Sequence, residues 1–230
     1  MFRIGCDPDN PPYTKLSAGV WSGTEYEFIT SLLYETRLEF EIVPVSWGDM
    51  FDQLRLGKVA AIFSSLSATE ERRQEFLFSD AYFDSPETLM GWEGVNLESI
   101  ELGRCSLAVL AGSNHERYAR ASFPGADIRL FNNSVEMLNA LESATVDTVV
   151  SELNAAQHWL YGQGKREKIR VLGEPIICPE IFGNGSSVAV GRSFPELRDY
   201  INTALRGTPG QASAGLGCVV EDGPGAQVID

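Results

Sequence analysis

The strongest constraint in this sequence is a regular alternation of strand-like and helix-like segments that begins at the second residue. FRIGC (Phe2–Cys6) reads as a strand. Thr24–Arg37 places Tyr26, Ile29 and Leu33 at helical spacing, with Phe28 and Leu32 alongside. Leu38–Val45 alternates as a strand, WGDMFDQLRLG is a short helix closed by Gly57, and VAAIF (Val59–Phe63) is the next strand. An order of strand, helix, strand, helix, strand predicts an α/β fold with a largely parallel sheet. DPDNPPY (Asp7–Tyr13) leaves the first strand as a proline-rich turn, and SAGVWSG suggests a hairpin.

The pattern then restarts. TLMGW (Thr88–Trp92) is strand-like, and Glu93–Gly103 is polar. CSLAVLAG, ADIRLF, DTVVSE and KIRVLGE read as strands. Between them lie helical segments at Ser113–Phe123, with Ser113 as N-cap and Glu116 at capping-box spacing, at SVEMLNALESATV and at LNAAQHWLYG. A second α/β unit of similar size therefore spans the region from Thr88 to Glu180. SSVAVG (Ser186–Gly191) is a further strand, and Pro195–Gly207 is a helix with proline in its first turn and glycine at its end. From Thr208 onward the chain is rich in glycine and small residues, and no helix is expected.

The 230 residues suffice for two such units, and a hydrophobic content of 43% with mean hydropathy −0.09 describes a globular chain rather than a disordered one. The net charge of −14 argues against nucleic acid or an anionic membrane as partner, since both need a basic patch. No apolar run approaches the ~20 residues of a membrane helix. The chain enters its first strand at once, so either it stays in the cytoplasm or an export signal has been removed from this sequence. Cys6, Cys105, Cys178 and Cys218 are widely spaced, which leaves disulfide pairs and free thiols equally open. His115 and His158 are the only histidines, so no metal or cofactor site is expected.

Ser64–Tyr82 (SSLSATEERRQEFLFSDAY) concentrates chemistry. Ser64, Ser65 and Ser67 precede a short charged helix with Arg72 and Arg73. Hydroxyls and backbone N–H groups at a helix start, with a guanidinium one turn on, make an anion site. The alternative is a solvated helix with a capping box from Ser67 to Glu70.

Five segments in sequence settle the choice: IGCDPDNPPY, LRLGKVAAIFSSLSATEERRQEFLFSDAYF, LAVLAGSNHE, LESATVDTVVSE and SSVAVGRSFPELRDYINTAL. Together they resemble the bacterial polar amino-acid solute-binding proteins of ABC transporters, over about residues 2 to 206, and most of all the branch that binds lysine, arginine, ornithine and histidine. The resemblance implies a two-lobed periplasmic-binding-protein (Venus flytrap) fold. Lobe 1 would comprise residues 1–85 and 186–230, lobe 2 residues 86–185, with hinge crossings near Asp84–Glu87 and Glu180–Ser187. It implies a periplasmic monomer that binds an amino acid, polar or basic or a derivative, and delivers it to a membrane permease.

The resemblance also assigns residues. Arg72 would clamp the ligand α-carboxylate, with N–H groups at Ser113 and Asn114, while Ser64, Ser65 and Ser67 would offer hydroxyl, carbonyl and N–H groups to the ligand's α-amino group and carboxylate. Glu152 stands where the family has an aspartate for the α-ammonium. Asp7 would reach the ligand side chain, Trp47 would wall it, and Asn10 replaces an expected aromatic. Two other readings are a flytrap-derived enzyme such as a cyclohexadienyl dehydratase and the sensing domain of a membrane receptor; no catalytic residue is assigned.

Overall fold

The computed structural model describes residues 1–84, 86–162 and 167–207. The first repeat folds as read. β1 (Phe2–Cys6) leads into a three-stranded antiparallel ribbon of β2 (Asp9–Asn10), β3 (Thr14–Ser17) and β4 (Val20–Ser22). Then come α1 (Thr24–Glu35), β5 (Phe40–Pro44), a 3-10 turn at Trp47–Asp49, α2 (Met50–Arg55), β6 (Ala61–Phe63), α3 (Glu70–Arg73) and β7 (Leu77–Phe78).

The second repeat runs β8 (Glu87–Trp92), α4 (Leu97–Glu101), β9 (Ser106–Leu110), α5 (Asn114–Ser122), β10 (Asp127–Phe131), α6 (Ser134–Glu142), β11 (Thr148–Glu152), α7 (Leu153–Tyr161), β12 (Ile169–Ile176) and α8 (Pro179–Phe182). β13 (Ala189–Val190) and α9 (Pro195–Gly207) complete the described chain.

Two five-stranded sheets result, one per lobe. In lobe 1 the order is β5-β1-β6-β13-β7, with β5, β1 and β6 parallel and β13 antiparallel to both its neighbours. In lobe 2 the order is β10-β9-β11-β8-β12, with β10, β9 and β11 parallel and β8 antiparallel to its neighbours. Each sheet has an apolar layer on both faces. In lobe 1 Ile4, Phe63 and Leu33 lie on one side and Ile62, Met50 and Leu66 on the other; in lobe 2 Leu107 and Ile100 oppose Met90 and Leu141. Central strands covered on both faces explain why VAAIF and SLAVL are continuous apolar runs rather than alternating ones.

The chain crosses between sheets twice, after β7 and after β12. The crossings touch: Phe83 and Ser186 form an antiparallel bridge, as do Ser67 and Ser186. Gly185 is held there at φ 104, and a Cβ on it would lie 2.3 Å from the Phe83 carbonyl oxygen, so only glycine fits this close approach.

Two local readings change. The polar stretch after Trp92 contains α4, started by a reciprocal capping box between Asn96 and Ser99. The cap of α3 is Thr69, whose side chain accepts from the Arg72 N–H, and not Ser67. Ser67 lies one residue pair too early, and its carbonyl instead receives the Arg72 guanidinium at 3.1 Å. Cys6, Cys105 and Cys178 are unpaired, while Cys218 and the glycine-rich tail lie outside the described residues.

Candidate functional site

The residues singled out above lie where parallel strands end. In open α/β sheets, loops at the carboxyl ends of strands form the ligand crevice. Asp7 follows β1, Trp47 follows β5, and Ser64, Ser65 and Ser67 follow β6. In lobe 2, Ser113 and Asn114 follow β9, and Glu152 ends β11. All of these, with Asn10 and Arg72, border one cavity between the lobes, of about 820 Å³ counted out to its open mouth.

Lobe 1 supplies a wall braced by hydrogen bonds from beneath. Ser64 is buried, and its Oγ accepts the Asp7 N–H at 2.9 Å, tying the β1 and β6 loops together. The Asp7 carboxylate accepts the Asp9 N–H at 2.9 Å, but burial pushes its pKa up. Ser65 has the left-handed φ of 48°, uncommon for serine. Glu25 holds it there: one carboxylate oxygen accepts the Ser65 N–H at 2.8 Å and the Tyr82 hydroxyl, and the other accepts Ser65 Oγ at 3.2 Å. Glu25 is fully buried, and this burial pushes its carboxyl above the usual range against the pull of those bonds. Ser65 therefore spends both its donors on Glu25.

Arg72 stacks its guanidinium 4.8 Å over the Phe51 ring and has no carboxylate partner among the described residues. Burial lowers its pKa to about 10, against a smaller opposing pull from the Glu71 carboxylate. A carboxylate brought to it would relieve that penalty with a two-pronged, charge-assisted bond.

Lobe 2 supplies helix starts and carboxylates. Ser113 Oγ caps α5 by accepting the Glu116 N–H at 3.2 Å, while the Glu116 side chain takes the Gly112 N–H at 2.8 Å. The first-turn N–H groups of Asn114 and His115 lack intrahelical partners and lie at the cleft. Glu152 is the N-cap residue of α7 without capping it through its side chain. Burial, and then the neighbouring Glu87, push its carboxyl well above the usual range. Leu110, Met137, Leu138, Ala155 and Phe182 form an apolar backing.

The lobes meet directly around this space. Trp47 Nε1 donates to the Ala111 carbonyl at 2.9 Å, and Ser134 Oγ donates to the Asp9 carbonyl at 3.1 Å. Trp47 thus forms both a cleft wall and a lobe-to-lobe bond.

Four further residues escaped the sequence reading. Tyr13, Glu87 and His115 line the cavity, and Glu25 lies behind it. Glu25 was detectable: the buried face of α1 is Glu25, Ile29, Leu32 and Leu33, so the apolar stripe extended one turn back reaches it. Glu87 has no comparable signal, because its position depends on pairing with a distant strand.

Two lobes of matching sheet order, joined by two crossings around a polar cleft, define a two-lobed binding protein. The family model for bacterial extracellular solute-binding proteins, family 3, matches residues 2–209, and the chain belongs to that family. It is 25% identical over 208 residues to the L-arginine-binding protein of Pseudomonas aeruginosa, covering 88% of this chain and 80% of that protein. The lysine/arginine/ornithine-binding periplasmic protein of Escherichia coli is likewise 25% identical, with the same coverage. Among solved structures, an arginine-specific periplasmic binding protein of Salmonella typhimurium superposes with a TM-score of 0.81 at 19% identity, covering 90% of this chain and 94% of that one. At that identity the likeness speaks to the fold alone.

Proposed function

We propose that this protein captures an amino acid with a cationic side chain between its lobes, outside the cytoplasmic membrane, and delivers it to the permease of an ABC transporter. One observation carries the reading. Among the described residues, the cleft holds one guanidinium without a carboxylate partner, Arg72, together with three carboxylates, Asp7, Glu87 and Glu152. Such a surface suits a ligand with one anionic end and more than one cationic group. Relatives named for arginine, lysine, ornithine and histidine support the same class. In this reading Arg72 takes the α-carboxylate and Glu152 the α-ammonium. Asp7 takes the distal cation, between Trp47 and Asn10. Lobe 1 in this reading is residues 1–85 with 186–230 and lobe 2 is residues 86–185, of which 85, 163–166 and 208–230 lie outside the described residues. The protein acts as a monomer and a binder, not an enzyme.

A thermal-shift screen of the common amino acids tests this. A ligand at 100 times its dissociation constant adds about 2.7 kcal/mol of stability. Arginine, lysine and ornithine are expected to raise the melting temperature most. A flat response to every amino acid, or turnover of prephenate or arogenate, would overturn the reading.

A further inference from the structure

Glu87 has no role in the family-level assignment above, yet its placement is specific. β8 and β11 run antiparallel with Glu87 directly opposite Glu152. Residues paired in this way project side chains to the same face, with Cα atoms about 5 Å apart. Both carboxylates line the cleft, and both also border the space behind it at the hinge, together with Ser67. We propose that Glu87 is the second carboxylate of an ammonium subsite: with Glu152 it receives the α-ammonium of the bound amino acid, and His115 occupies Glu87 while the cleft is unliganded. This rests on the reading of the protein as an amino-acid binder.

Three observations support it. The first is the arrangement around Ser67. Arg72 bonds the Ser67 carbonyl at 3.1 Å, and Ser67 borders the same hinge-side space as the two glutamates. The guanidinium, the residue it bonds and the carboxylate pair therefore border one continuous cleft, as a ligand with carboxylate and ammonium on one α-carbon requires. The second is an unused polar group. The Tyr13 hydroxyl, on a residue only 4% exposed, lines the cavity from lobe 1 and makes no hydrogen bond of ordinary geometry, although Glu152 lies close enough to affect it. The third is the partner that Glu87 already has. Its Oε2 lies 2.8 Å from His115 Nε2, while His115 Nδ1 is buried without a partner.

Like charges held opposite each other away from water are unstable unless a proton or a cation intervenes. Directly opposite Glu87, Glu152 has its carboxyl pushed well above the usual range by burial, then by Glu87 and by Glu25, which favours its protonated form in the unliganded cleft. Asp7 is a third carboxylate in the same cavity, and Arg72 is its one guanidinium among the described residues. A primary ammonium brings three N–H donors, enough to serve both carboxylates. On its arrival the Glu152 proton leaves to solvent. Binding therefore releases a proton, and affinity rises with pH by up to tenfold per unit until Glu152 is ionised in the free protein.

Calorimetry of the full chain with L-arginine and L-lysine, in phosphate and in Tris between about pH 6 and 8, reads the proton count directly. Wild type should release up to one proton per ligand. Glu87→Gln should bind at least tenfold more weakly and release fewer protons, with unchanged circular dichroism. Nα,Nα-dimethyl-L-arginine, which keeps a single ammonium N–H, should bind wild type at least tenfold more weakly than arginine; this arm needs no variant. The proposal is overturned if wild type binds without proton release, or if Glu87→Gln keeps wild-type affinity and proton count. Those results leave amino-acid binding intact. Failure of wild type to bind either ligand overturns this proposal together with the cationic amino-acid reading.

Discussion

Lobe 1 and lobe 2 each run four strands in one direction and a single strand, β13 or β8, against them, and each turns its parallel strand ends toward the same cleft. The side chains on those ends differ. Lobe 1 presents a guanidinium and a serine loop braced from beneath by Glu25. Lobe 2 presents two opposed glutamates, a histidine and an apolar backing. Lobe 1 offers the cleft's guanidinium and one carboxylate, Asp7, while lobe 2 adds a carboxylate pair, so among the described residues most of the cleft's acidic groups lie on lobe 2. A ligand that contacts both sides favours the closed arrangement only to the extent that it binds that arrangement better than the open one.

That division can be tested one side at a time. The largest effect is expected from Arg72→Ala, which removes the cation of lobe 1: affinity for L-arginine should fall roughly 100-fold by calorimetry, the scale of a charge-assisted pair. Arg72→Lys should recover part of this, because the charge remains but the fork is lost. Retained wild-type affinity in Arg72→Ala would break the comparison outright.

Next is the brace. Glu25→Ala strands the Ser65 N–H and the Tyr82 hydroxyl in the core, so chemical denaturation should show a loss of about 2 kcal/mol, with weakened binding although Glu25 is not a lining residue. Third, Trp47→Phe keeps an aromatic wall but loses the bond to Ala111 across the cleft. Affinity should drop by about fivefold, equivalent to ~1 kcal/mol, with fold stability nearly unchanged.

The smallest effect is in pH dependence. Asp7, Glu25 and Glu152 all have raised carboxyl pKa values in the folded chain. The folded state thus holds protons that the unfolded state gives up near the usual ~4. The stability this confers is lost as pH rises from the unfolded values through the raised ones. The unliganded protein should therefore melt a few degrees higher at pH 5.5 than at 7.5 by differential scanning fluorimetry. Glu152→Gln should flatten that difference, and an equally steep profile in the variant would exclude Glu152 as a source.

The sequence made the architecture readable because both its signals are local: helical spacing in Thr24–Arg37 and apolar runs such as VAAIF need no distant partner. The serine loop and Arg72 were readable through their motif. The Glu87–Glu152 pair was not, since it depends on the register between strands more than fifty residues apart, which no local pattern encodes. Glu25 falls between these cases. Its position on the buried stripe of α1 was visible, but an acidic residue in a first helical turn is ordinarily assigned to the helix dipole and left at the surface. Spacing alone offers Ser67 as an alternative cap, whereas Thr69, two residues closer to the helix, takes that role.

The placement of β13 bears on the order of assembly. Ala189–Val190 lies between β6 and β7 in the lobe 1 sheet, whereas the five strands of lobe 2 come from one uninterrupted span between Glu87 and Ile176. A chain emerging from its N-terminus has every strand of lobe 2 in hand while lobe 1 still lacks an interior strand. The domain that begins first is completed last, and its unpaired β6 and β7 edges remain open to pairing with other chains until β13 is inserted.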